Sequence, residues 1–375
     1  MPETLRPLAG LRVLDLTAMP PGAFCTLQLA DLGAEVVRIE PPAQAGRKSL
    51  VVGMPSLSRG KRSITLDQRN PASTEVLQRL AKASDVLVEN ARPGAMSARG
   101  FGYPEAAEIA PRLIWCSITG FGQDGPAAEW SGHDLSYAGH SGLLGALSPE
   151  LPWHPGAMLS VPLGAMTATS AILAALIQRA TTGKGCHVDT SLSESSLWLL
   201  TGAPGALAEG YSGIAPTHDR RLYACADGRY VSVAAAEPRT WEALCTGVDA
   251  TDLADQLRAT GEDSARVAAR LEAIFRTRPA AEWVARLAPA GAAVNAVNVG
   301  TDIARDPQHA ARGAIVTVSG IDMPASPIRL SDVAGARSGT ATDEPATVGE
   351  HTDQVLEAAG FSPAEIADLR TNAII

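Results

Sequence analysis

Apolar residues in the first 120 positions fall into short dense runs, separated by stretches with helical spacing. Leu11 to Thr17, LRVLDLT, is a β-rich run. Pro20 to Leu32 has apolar residues at helical spacing and proline at its start, so it predicts a helix, which Gly33 ends. AEVVRIE (34–40) predicts a second strand, and the right-handed crossover rule makes the two strands parallel. Further strands are predicted at 63–67, 85–90 and 113–119, with a helix over Pro71 to Ala83. This alternation predicts an α/β fold: an open, mostly parallel sheet with helices on both faces. Helices are expected to dominate from Gly132 to about Leu200. The apolar-rich stretch from Val161 to Leu176 contains Pro162, Gly164 and several hydroxyl residues, so it predicts a buried helix and no membrane span.

The pattern changes after residue 200. HDRRLYACADGRYVSVAAAEPRTWEAL predicts two strands joined by an Asp227-Gly228 turn, then a helix from about Pro238. Residues 249–288 are polar and helical in pattern. The chain therefore divides into a large α/β domain over 1–200, a linker over 201–214 and a small α+β domain over 215–310. Residues 311–375 return to the large domain and end in a helix, PAEIADLR.

Composition narrows the function. Hydrophobic residues make up 46% of the 375, enough for a core, while aromatics are only 4%, so the core must rely on close backbone packing. A net charge of −9 argues against a nucleic-acid surface, which needs clustered Lys and Arg. Cys25, Cys116, Cys186, Cys225 and Cys245 lack the spacing of a disulfide framework or zinc site, so no metal is expected. Reduced thiols and an N-terminal MPETLRPLAG without an apolar core point to the cytoplasm.

Two segments carry candidate chemistry. Residues 38–62 hold Arg38, Arg47, Lys48, Arg59, Lys61 and Arg62 against a single acid, Glu40, a local inversion of charge suited to a phosphorylated ligand. ENARPGAMSARGFG (89–102) follows a predicted strand at the carboxyl end of the sheet, where open α/β sheets bind ligands. The loop after the first strand is TAMPPGA and has no G-x-G-x-x-G, which disfavours a nicotinamide or flavin dinucleotide. SGHDLSYAGHSG (131–142) sets His133 and Asp134 at a helix start. Gly132 is read as the cap of a helix beginning at His133, with Asp134 an ordinary first-turn acid.

The order of LAGLRVLDLT, LADLGAEVVRIEPP, SRGKRSITLD, VLVENARPGAM, SITGFGQDGP, GHDLSYAGHSG, ILAALIQRATTGKG and DPQHAARGAIV resembles the class III CoA-transferase family (CaiB/BaiF type), over nearly the whole chain. The resemblance implies a large Rossmann-like domain, a small domain and an interlocked homodimer. Coenzyme A would enter as part of an acyl-CoA substrate, with no prosthetic group. By motif position Arg38, Arg59, Lys61, Asn90 and Arg92 become CoA-binding candidates. The family's next arginine falls on Ala98, leaving Arg99 as the substitute.

GHD at 132–134 and AAAEPRTW at 234–241 resemble the α-methylacyl-CoA racemase branch. That match makes His133 a catalytic base and Glu237 its assistant across the dimer interface. An imidazole, which ordinarily titrates near 6.5, can take an α-proton at neutral pH. The family's second group, an Asp before the ILAAL helix core, is missing: residues 151–176 contain no acid, and Ser160 stands near its position. The candidates for a second proton donor are His154, His140 and a water held by Ser160; of these, His140, seven residues beyond His133, is read as structural. Trp153, Met158, Leu159 and Met166 are candidates for the acyl pocket. The expected reaction is racemase- or epimerase-like proton transfer at the α-carbon. The alternatives are CoA transfer between carboxylates, a diverged acyl-CoA isomerase, lyase or cyclase, and a non-catalytic acyl-CoA binder.

Overall fold

The computed structural model describes residues 4–147, 154–203, 205–208, 216–332 and 337–375. The chain forms two units, 1–213 with 310–375 and 214–309. The larger unit is built on six parallel strands: β1 (Arg12–Asp15), β2 (Glu35–Glu40), β3 (Arg62–Thr65), β4 (Val86–Glu89), β5 (Ile114–Thr119) and β6 (His187–Ser191). Their order across the sheet is 3-2-1-4-5-6, the doubly wound arrangement. The strand order reverses between β1 and β4, so the loops after these two strands splay apart and leave a crevice at the carboxyl edge.

Helices dominate between 132 and 200, as expected, and β6 is a strand among them that the sequence reading did not mark. His187–Ser191 lies at the sheet edge, paired with β5, and Val188 is its one apolar residue, so its apolar content is too low to announce a strand. It follows the tight Gly183–Gly185 approach to the start of β5: a Cβ on Gly185 would lie 1.9 Å from the Leu113 carbonyl oxygen.

Apolar runs fill both faces of the sheet. On one side Leu14, Ile39, Ile64, Leu87 and Trp115 pack with helix α2 (Ser73–Lys82). Val355, Leu356, Phe361 and Ile366 of the C-terminal segment join them, so the chain does return to this unit. On the other side Val13, Val36, Val88 and Ile118 pack against helices α1 (Pro20–Asp31) and, further along the chain, α4 (Ser160–Thr182). α4 lies on α1 and on α5 (Leu192–Trp198) through Gly164, Ala165, Ala168 and Ala175. A Cβ on Gly164 would meet Leu192 at 2.2 Å, so these helices approach as closely as the scarcity of rings requires. α4 is long and apolar enough to cross a membrane, yet Val161, Ala165, Ala168 and Ile172 are buried against the core.

The smaller unit holds an antiparallel sheet of β7 (Arg220–Ala224), β8 (Tyr230–Ala234) and β9 (Val294–Ala296), with β8 in the middle. The Asp227-Gly228 turn joins β7 to β8, with Gly228 at φ 74°. Helices α6 (Pro238–Gly247), α7 (Gly261–Phe275) and α8 (Ala280–Leu287) cover its core of Tyr223, Trp241, Phe275 and Trp283.

Candidate active site

Two cavities open along the carboxyl edge of the large sheet and share Met19, Asn90 and Ala91. The first, about 560 Å³, is lined by Pro20, Asn90, Arg92, Trp130, His133, Asp134, Tyr137, Met158 and Val161 among others. The second, about 600 Å³, runs past Pro41, Gln68, Arg69, Glu89, Asn90 and Arg99. Together they trace a groove across the point where the strand order reverses. The loops are tied at that point, for the Asn90 side chain accepts the Ala18 amide at 3.3 Å. The Ala91 amide donates to Glu89 Oε2 at 2.6 Å. Burial raises the pKa of Glu89, although Ser117 and that amide pull it down. Pro20 and Pro21 open α1, so its first two positions offer no amide to a dinucleotide pyrophosphate.

His133 stands on the wall of the first cavity with its side chain exposed. The helix after it, α3, runs Asp134–His140, and His133 rather than Gly132 is the capping residue, extended at φ −129°, ψ 179°. Its amide donates to Ser136 Oγ at 3.3 Å. Asp134 turns away from the imidazole's task. Its two oxygens accept the amides of Leu159 and Val161, both at 2.8 Å, and so cap α4, which begins with no acid of its own. The first-turn acid of the sequence reading thus caps a different helix from its own.

The other candidates separate. Ser160 is fully buried, and its hydroxyl receives that of Ser196 at 2.7 Å, away from the cavity lining. His154 sits in an exposed loop, where Nδ1 accepts the Gly156 amide at 3.0 Å. His140 bonds Ser193 Oγ at 2.8 Å and meets Phe121 edge-on at 5.0 Å. Of the proposed acyl-pocket residues, Met158 lines the cavity, while Leu159 and Met166 do not. Trp153 lies outside the described residues. Glu237 is exposed on the smaller unit at the start of α6.

The basic residues also divide in two. Asn90 and Arg92 line the first cavity, and Asn90 and Arg99 the second. Arg92 donates to Ser131 Oγ at 3.0 Å, two residues before His133. Arg38, Arg59 and Lys61 line neither cavity and are buried in ion pairs. Arg38 faces Glu40 at 3.2 Å, Arg59 faces Asp31 at 2.9 Å, and Lys61 faces Asp15 at 3.3 Å. The physical reason is coverage: the C-terminal segment closes over the Arg59-Gly60-Lys61 turn, where Ala341 occupies the space a Cβ on Gly60 would need. Burial alone would push the Asp15 carboxyl up, but Lys61 and the hydroxyls of Thr17 and Thr26 outweigh it and hold it below its usual value.

Arg69 is a groove residue that the sequence reading missed. It follows β3 at the carboxyl edge, and its position after TLDQ was the available signal. Tyr137 is another, signalled only by its helical spacing from His133.

The chain matches the profile of CoA-transferase family III over residues 8–352. It is 32% identical to the alpha-methylacyl-CoA racemase of Homo sapiens, over 98% of this chain and 97% of the racemase. It is 33% identical to the acetyl-CoA:oxalate CoA-transferase of Acetobacter aceti, over 87% of this chain and 89% of that enzyme. Among solved structures, a CaiB/BaiF family protein from Brucella suis superposes with a TM-score of 0.79 at 30% identity, covering 96% of this chain and all of that one. The chain belongs to CoA-transferase family III, a family of CoA-utilising enzymes that includes both racemases and transferases.

Proposed function

We propose that this protein moves a proton at the α-carbon of an acyl-CoA thioester, with His133 as the base. The observation that carries the reading is the exposed His133 on the wall of a cavity that shares residues with a groove carrying Arg69 and Arg99. In this reading the nucleotide end of coenzyme A lies along Asn90, Arg92, Arg69 and Arg99, whose guanidiniums suit phosphate oxygens. Arg38, Arg59 and Lys61 then act as buried supports of the groove floor. The acyl part lies among Met19, Ile118, Met158 and Val161. A thioester α-proton is weakly acidic, so a placed imidazole contributes about 10²–10⁴-fold by general-base catalysis.

Glu237 assists His133 from a second copy in this reading, which requires a homodimer. The exposed apolar side chains of Met166 and Ile177 on α4 and Trp198 on α5 support such a partner surface.

CoA transfer is the second reading, favoured by the 33% identity to the Acetobacter aceti transferase. It needs a free carboxylate to accept the acyl group. Among the described residues Asp134 is the only carboxylate lining the His133 cavity, and both its oxygens are held by the α4 amides. Incubation with a 2-methyl-branched acyl-CoA and a free carboxylic acid separates the two. Loss of configuration, or α-hydrogen exchange, without new thioester supports proton transfer; CoA on the added acid supports transfer.

A further inference from the structure

The Tyr137 hydroxyl donates to the Gly132 carbonyl at 2.5 Å. Gly132 immediately precedes His133, so this bond fixes the peptide from which the imidazole projects. The ring is seated by two glycines. A Cβ on Gly120 would come within 2.3 Å of Tyr137 Cε1, and one on Gly132 within 2.7 Å of the same atom. Phe121 closes the seat edge-on, with ring centroids 5.3 Å apart. The ring therefore bridges the end of β5 and the turn before α3. Burial, and then the charge of Asp134, raise the phenol above its ordinary value, so the hydroxyl stays protonated and donating through the neutral range.

From this geometry we infer that Tyr137 is a positioning residue for His133: its ring and hydroxyl clamp the Gly132–His133 peptide to the edge of β5 and aim the imidazole into the cavity. The functional consequence rests on the reading of His133 as the base. Misplacing a reacting group by about 1 Å can cost on the order of 10²-fold in rate. Asp134 clamps the other side of the same turn to α4, so the turn is held from both sides.

The test uses the full-length protein with labelled histidine, the His133 ring signals being assigned by their loss in His133→Ala. Tyr137→Phe keeps the ring in its seat and removes only the hydroxyl. The expected result is displaced or broadened His133 signals, with kcat for α-hydrogen exchange lowered by about 10-fold or more and KM within about twofold. Gly120→Ala retains the hydroxyl but displaces the ring, and the same signature is expected. Unchanged His133 signals and unchanged kcat in Tyr137→Phe would overturn the inference. Exchange that survives in His133→Ala would instead defeat the catalytic reading, and the ring signals would still decide whether Tyr137 positions His133.

Discussion

Asp134 and Val161 are joined by a 2.8 Å hydrogen bond from the Val161 amide to the Asp134 carboxylate, and the Leu159 amide reaches the other oxygen. This fastens the start of α3 to the start of α4, two helices separated in sequence by 19 residues, 141–159. Asp134→Ala leaves those amides without their acceptor. A loss of about 1–2 kcal/mol in stability is expected from the missing cap, with a fall in α-hydrogen exchange. Asp134→Asn keeps one acceptor oxygen and should recover part of both. Urea midpoints and exchange rates of the two variants check this.

Lys61 and Asp15 form a sealed pair inside the large unit, with Thr26 Oγ1 bonded to both, at 2.7 Å and 2.5 Å. Lys61→Met strands a buried carboxylate and should cost about 3–5 kcal/mol. A ligand lysine would give the opposite pattern, weakened CoA affinity with stability intact, and calorimetry with CoA beside a denaturation curve distinguishes them.

The same pair sets an acid dependence. Asp15 is depressed in the folded state, so it favours folding wherever the unfolded carboxyl, near 3.9, is already ionised. That contribution is complete above the unfolded value and is lost as pH falls through the folded one. Urea midpoints measured from pH 6 down to 3 should show a steeper acid decline in the wild type than in Asp15→Asn.

Ser160 has no access to the cavity lining and gives its oxygen to Ser196. Ser160→Ala should therefore leave the exchange rate within about threefold while costing about 1 kcal/mol of stability. A drop of about 10²-fold or more would identify it as an acid–base group after all.

Arg69 and Arg99 both line the second cavity. Replacing either with alanine should raise the dissociation constant of CoA about 10-fold, and the loss should shrink in high salt. Titration of CoA at two ionic strengths checks it.

β1, β2, β4 and β5 were legible because they are apolar-rich runs inside the sheet, buried on both faces as a parallel sheet demands, and the edge strand β3 was legible from Ile64 with Leu66 just beyond it. β6 was not, because Val188 is its one apolar residue. His133 was singled out from its neighbours in sequence, and the fold sets it on the cavity wall. The fate of Arg59 and Lys61 was not legible, because their partners Asp31 and Asp15 belong to elements brought beside them only by folding, and Ala341 covers the Gly60 turn between them from far along the chain; Arg38 has its partner Glu40 two residues away on the same strand, but its burial is set by the fold. Asp134 escaped for a similar reason: a first-turn acid looks the same whether it serves its own helix or another one.

The most direct test of the central claim is deuterium uptake at the α-carbon of a 2-methyl-branched acyl-CoA in D₂O, with wild type and His133→Ala compared at equal enzyme and saturating substrate. The account predicts uptake by the wild type and a fall of about 10²–10⁴-fold in the variant. Equal uptake by both proteins would contradict it.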